Sequence, residues 1–86
     1  MMKVWRPTPD EIKLTSGWDI WKKEASEFPW FYDDTETCYI LEGEAMATDS
    51  KGDTIQFQAG DMVRFEKGLS CKWKISKDIK KRYLFG

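Results

Sequence analysis

Apolar and polar residues alternate along most of this chain in short stretches, and turn residues break the alternation at nearly even intervals. Leu69, Cys71, Trp73 and Ile75 alternate with Ser70, Lys72 and Lys74. A period of two is the mark of a strand with one face in the core and the other in water. From Lys80 to Phe85 the same parity aligns Lys81, Tyr83 and Phe85 opposite Arg82 and Leu84. The long β-prone run Thr37–Ala47 is interrupted by Gly43, which predicts a bulge or bend. Around its start Glu36, Cys38 and Ile40 share one face, and Thr37, Tyr39 and Leu41 the other. Apolar groups on both faces require a second cover, either another sheet layer or a partner subunit. Pro29 and its aromatic neighbours make Phe28–Tyr32 extended, and Thr54–Gln58 and Met62–Phe65 read as further short strands. Turn signals fall at Asp49–Gly52, Ala59–Asp61, Glu66–Gly68 and Ser76–Asp78. Strands separated by turns every 8–12 residues or so predict an all-β sandwich or barrel.

The beginning of the chain differs. Thr8 suits a helix cap, Pro9 the first helical position, and Glu11 closes a capping box. Gly17 stops the segment after about one turn. The organisation predicted is a single domain, with residues 1–17 as an N-terminal extension carrying a helical turn and residues 18–85 as the barrel.

Composition narrows the function. Fourteen Lys and Arg face fifteen Asp and Glu, and there is no His. Without imidazole, Ser-His-Asp and Cys-His catalysis and His-built metal sites are excluded. The near-neutral charge argues against nucleic acid as a partner, including the aromatic and lysine-rich binding mode of small OB-type barrels. No apolar run approaches the ~20 residues of a spanning helix, and Met1–Asp10 has no apolar signal region, so no membrane partner is expected. Two Cys are too few for a disulfide framework, which points to free thiols and a cytoplasmic location. Aromatic residues make up 15% of the chain; rings that bury roughly 150–250 Å² each can build a core in so small a domain.

Charge is unevenly distributed. Between Glu24 and Asp61 the basic residue is Lys51 alone; between Arg64 and Arg82 the acidic residues are only Glu66 and Asp78. In a barrel these segments become neighbours, so cross-strand ion pairing is the expected use of the pattern.

Candidate chemistry follows from parity. Glu36 is either a structural carboxylate or a ligand-binding or acid–base group. Trp30, Tyr32, Trp73 and Tyr83 form an aromatic set that either fills the core or walls a small-molecule pocket. Cys38 and Cys71 are either small buried apolar groups or, with Glu36, a site of two thiolates and a carboxylate for zinc. Lys81 and Arg82 are strand-edge charges or holders of an anionic ligand, with Lys81 favoured because it shares parity with Tyr83. Tyr39 and Leu41 suit a second layer or a subunit interface.

One stretch resembles a known family. Glu36-Thr37-Cys38-Tyr39-Ile40-Leu41-Glu42-Gly43 is similar to the end of the first cupin motif, and Gly60 to Trp73 resembles the second. With the Trp18–Trp21 segment and the closing Lys81–Phe85, these resemble the small single-domain cupins grouped with the cupin domain of ureidoglycine aminohydrolase. The resemblance implies an RmlC-like jelly-roll β-barrel of two antiparallel sheets, and frequent homodimers. Metal-binding cupins place two His before that Glu and one in the second motif. Here those places fall near Trp30 and Tyr32, and at Cys71, while Glu66 replaces the usual Pro.

The expectation is therefore a cupin without metal or cofactor. It binds a small polar metabolite, a carbohydrate or nitrogen compound, through Trp30, Tyr32, Glu36, Cys38, Cys71, Trp73 and Tyr83. Any catalysis would be proton transfer or isomerisation by Glu36 with Tyr83 or Lys81. The alternatives are a metalloenzyme using Glu36, Cys38 and Cys71, and a non-catalytic dimeric module with a filled interior.

Overall fold

The computed structural model describes residues 1–86. Its elements run β1 (Met2–Trp5), α1 (Pro9–Leu14), β2 (Asp19–Lys23), β3 (Ser26–Phe31), β4 (Glu36–Asp49), β5 (Thr54–Gln58), β6 (Met62–Phe65) and β7 (Ser70–Phe85). All strand pairings are antiparallel. The two long strands β4 and β7 pair with each other along most of their length and form the spine. Each changes its other partner midway. β4 pairs with β6 through Glu36–Tyr39 and with β5 through Glu44–Thr48. β7 pairs with β3 through Ser70–Ile75 and with β2 through Ile79–Tyr83. One continuous ladder is thereby bent into two facing layers; the turn spacing predicts the all-β class, and the resemblance implies its jelly-roll arrangement.

The bend has a local cause. The β4–β7 register shifts between Ile40 and Ala45. Gly43 lies inside this irregularity at φ +98°, and a Cβ there would collide with the Asp78 carbonyl oxygen. Only glycine allows both the backbone conformation and the close approach. Asp78 also accepts a hydrogen bond from the Ala25 backbone N–H through Oδ1 at 2.9 Å, which ties down the β2–β3 connection. Ser76-Lys77-Asp78, read from sequence as a turn between two strands, is instead the stretch where unbroken β7 changes partner. Its polar residues serve a strand corner rather than a chain reversal.

The first residues also depart from expectation. Met2–Trp5 is a strand on β6, in register from Met2 opposite Phe65 to Trp5 opposite Met62. Residues 1–17 thus supply a sheet strand as well as the helical turn. Met2 and Val4 pack against the core cluster, and Lys3 between them faces solvent. Four residues are too few for the period to stand out in sequence. The helix start agrees in detail: Thr8 accepts from the Glu11 N–H, and the Glu11 carboxylate accepts from the Thr8 N–H. Asp19–Lys23, where the sequence predicts no element, is the strand beside the C-terminal half of β7.

The core lies between the layers and includes Cys38, Ile40, Val63, Phe65, Leu69 and Trp73. Tyr32 stacks on Phe65 with centroids 4.7 Å apart, and Phe57 meets Trp73 edge-on at 5.1 Å. Such pairs contribute about 0.5–1.5 kcal/mol each beyond area burial. The segregated charges pair across strands on the outside: Lys72 with Glu27, Lys77 with Glu44 and Lys80 with Glu42. No helix is long and apolar enough to cross a membrane.

Candidate functional site

The strand alternation that fills the core leaves one end of the interior open. A cavity of about 210 Å³ is lined by Trp21 of β2, Phe28 and Trp30 of β3, Tyr32, Glu36 of β4, and Trp73, Lys81, Tyr83 and Phe85 of β7. Trp30 and Phe85 stand at its rim, 48% and 45% exposed. Tyr32, Glu36, Trp73 and Lys81 form the deep wall and are almost fully buried. Sites for drug-sized ligands measure roughly 300–1,000 Å³, so this chamber suits a smaller molecule.

Its polar centre is one ion pair. Lys81 Nζ donates to Glu36 Oε2 at 2.5 Å, with the residues 5% and 3% exposed. The ammonium also lies over two indole faces, 4.6 Å from the Trp21 ring centroid and 4.8 Å from that of Trp73. A buried charge survives only when its partners replace its hydration, and here a carboxylate and two π-faces do so. The indole N–H of Trp73 donates to the Tyr32 hydroxyl at 3.1 Å. Trp73 is thus fixed by its own hydrogen bond while it receives the cation. Burial and the Glu36 charge push the Tyr32 phenol far above its ordinary range, against the opposing effect of the Trp73 hydrogen bond. Tyr32 therefore remains protonated.

The predicted site residues divide into two groups. Trp30, Tyr32, Glu36, Trp73, Tyr83 and Lys81 meet around one chamber. Cys38 and Cys71 do not line it; both sit in the core cluster. Burial foremost pushes the Cys38 thiol up to about 12, with the Glu36 charge and hydrogen bond adding to the rise and Lys81 opposing it. Burial also raises Cys71 to about 11, with the charges of Asp49 and Glu36 contributing. Both cysteines are free. Arg82 turns away from the chamber and donates to the Thr15 hydroxyl at 3.1 Å. Trp21, Phe28 and Phe85 complete the lining. The parity of Phe28 with Trp30, and of Phe85 with Tyr83, carried that information in the sequence; Trp21 became readable only once β2 was known to lie opposite Lys81.

The donor set does not fit the metal that cupin resemblance implies. No three or more His, Cys, Asp or Glu residues are grouped to hold an ion. The one carboxylate in the chamber is already bound to an ammonium, and both thiols favour the protonated form. Glu36, Cys38 and Cys71 are thus not grouped to hold an ion together. What remains is a charge-balanced floor inside an aromatic wall, an arrangement suited to stacking on a small ring while hydrogen bonding to its polar edge. A larger open groove beside Glu44, Gln58 and Lys74 holds one buried carboxylate, Asp61, which is tied to Arg6 at 3.0 Å and to the Gln58 N–H.

Comparison with known proteins is consistent with this fold. A DUF861 family protein from Thermotoga maritima is 43% identical, with each chain fully covered and a TM-score of 0.97. The putative ethanolamine utilization protein Q of Salmonella typhimurium is 20% identical over 98% of this chain and 68% of its own, with a TM-score of 0.71. The EutQ protein of Clostridium difficile is 15% identical over 77% of this chain and 52% of its own, with a TM-score of 0.70. No curated protein matches. The model of the EutQ-like cupin domain matches residues 13–83, and the chain belongs to that family.

Proposed function

We propose that this cupin binds a small, uncharged polar metabolite, a carbohydrate or a compact nitrogen compound, in the chamber around Glu36 without a metal or cofactor. The observation that carries the reading is the buried Glu36–Lys81 pair at the foot of an open aromatic wall. A charge-neutral floor favours a ligand without net charge, and the wall of Trp21, Phe28, Trp30 and Trp73 favours a ring or flat face. Tyr83 and the indole of Trp30 supply further polar edges near the mouth. The chemistry open to such a site is proton transfer by Glu36 with Lys81 or Tyr83.

The finer grouping with ureidoglycine aminohydrolase-like cupins rests on the segments Glu36–Gly43 and Gly60–Trp73. A homodimer is supported by the half-buried Tyr39 and the exposed Leu84 and Ile20 on the outer sheet face. A cytoplasmic location accords with two free thiols. The test is a thermal-shift panel of neutral monosaccharides, polyols and ureides. The reading expects a subset to raise the Tm of the wild type and not of Trp73→Leu, and expects purified protein to carry no equimolar metal. A flat response across the panel would count against it.

A further inference from the structure

Lys81 is the only amine that lines the aromatic chamber. A lysine can act as a nucleophile where an apolar setting disfavours its charged form and an adjacent base can take the ammonium proton. Both are present. The chain of Lys81 reaches Nζ between the faces of Trp21 and Trp73, and Glu36 Oε2 lies 2.5 Å away. Proton transfer from Lys81 to Glu36 turns an ion pair into a neutral amine and a neutral carboxylic acid. The net charge of the chamber is zero in both states, so the transfer needs no counter-ion.

On the reading of the chamber as a small-molecule site, we infer that its ligands include small uncharged aldehydes and ketones, held by a reversible imine to Lys81. The steps balance within the site. Glu36 takes one proton from the ammonium, and the amine lone pair attacks the carbonyl carbon. The C=O π pair moves to oxygen, which is protonated by way of Glu36 to give a carbinolamine. Glu36 then takes a second proton from the nitrogen and passes it to that oxygen, which leaves as water while the nitrogen lone pair forms the C=N bond. The sum is ammonium plus carbonyl giving iminium plus water, with Glu36 again a carboxylate. No oxidant or reductant is required.

The product fits its surroundings. An iminium keeps the positive charge on nitrogen, so the Glu36 carboxylate and both indole faces that hold the ammonium hold the iminium as well. A cavity of about 210 Å³ accommodates a three-carbon carbonyl compound beside the lysine. The same contacts that explain why a lysine is tolerated in the interior therefore explain what it can hold.

The experiment uses the intact protein, hydroxyacetone as probe and sodium cyanoborohydride as trap, with peptide mapping by mass spectrometry. The exposed Lys72 and Lys74 are internal controls. The expected result is saturable labelling of Lys81 at least roughly tenfold faster than either control, with labelling about a hundredfold slower at Lys81 in Glu36→Gln. Labelling of Lys81 no faster than the controls overturns the inference. If the indole NMR signals of Trp21 and Trp73 still respond to hydroxyacetone in that case, the small-molecule reading of the chamber stands alone; if they do not, this ligand class fails for binding as well. The wild-type pattern decides the matter even where a variant does not fold, and Lys81→Arg, which keeps the charge, should abolish the adduct at that site.

Discussion

Lys81 meets Glu36 diagonally across the sheet. In the β4–β7 ladder Glu36 is opposite Phe85, and Lys81 is opposite Ile40. The lysine side chain runs along the sheet, past the Cys38–Tyr83 pair, to place its ammonium 2.5 Å from the carboxylate. Direct cross-strand neighbours would have made a simpler ion pair. The diagonal instead carries Nζ beneath Trp21 and Trp73 and leaves room between charge and rim.

This pair predicts a marked non-additivity. Glu36→Gln or Lys81→Met alone strands one buried charge, at a cost of about 3–5 kcal/mol. The double variant removes both charges and should be more stable than either single variant. Urea denaturation of all four proteins measures the coupling. Additive losses would mean that the two groups do not depend on each other.

The Trp73–Tyr32 hydrogen bond predicts a smaller effect. Tyr32→Phe keeps the stacking on Phe65 and leaves the Trp73 indole N–H without its acceptor. A loss of about 1–3 kcal/mol is expected. Trp73→Leu removes a large buried ring and should cost about 3–5 kcal/mol as well as ligand binding. Denaturation curves and the thermal-shift panel separate the two roles.

The buried thiols predict an alkaline limit to stability. Cys38 is raised from 9.0 to about 12 in the folded protein, chiefly by burial. The folded state therefore binds the proton more tightly than the unfolded state. Its contribution is complete below pH 9 and is lost as pH rises towards 12. Melting temperature should fall across that window, and Cys38→Ala should flatten the fall while lowering stability at neutral pH. A thiol reagent at pH 8 should label neither cysteine until the protein unfolds.

Gly43 predicts a backbone effect without loss of any side-chain contact. Gly43→Ala must accommodate φ +98° and a Cβ against the Asp78 carbonyl. The expected cost is about 1–3 kcal/mol. The same change at Gly52, in a turn with open space around it, meets only the conformational part of that cost. Comparing the two variants by urea denaturation isolates the close approach at the bend.

The sequence shows most of the strands because their faces differ so sharply in polarity. Leu69 to Ile75 alternates without exception, and every lysine in it is exposed. The same parity places Lys81, Tyr83 and Phe85 together, and Glu36 with Cys38. It does not show which aligned residues face an opening and which face the core. Glu36 and Cys38 share a face of β4, yet one lines the chamber and the other is sealed behind it. That distinction depends on how the two layers diverge, which is set by tertiary contacts of Gly43, Asp78 and the neighbouring strands. Parity brings Glu36 and Lys81 into one candidate site, but their direct contact follows from the β4–β7 register, and no local pattern specifies a register between strands so far apart in sequence. Met2–Trp5 and Asp19–Lys23 were missed because a short edge strand carries too few alternations to be distinguished from loop.

The most direct test of the chamber uses its tryptophans. The chain has five, of which Trp21, Trp30 and Trp73 line the cavity while Trp5 and Trp18 do not. In a titration with a neutral ligand that raises the melting temperature, followed by indole N–H NMR signals, the first three should move together and saturate while the other two stay in place. If all five moved alike, or only Trp5 and Trp18 did, the ligand would be elsewhere and the chamber around Glu36 and Lys81 would not be its site.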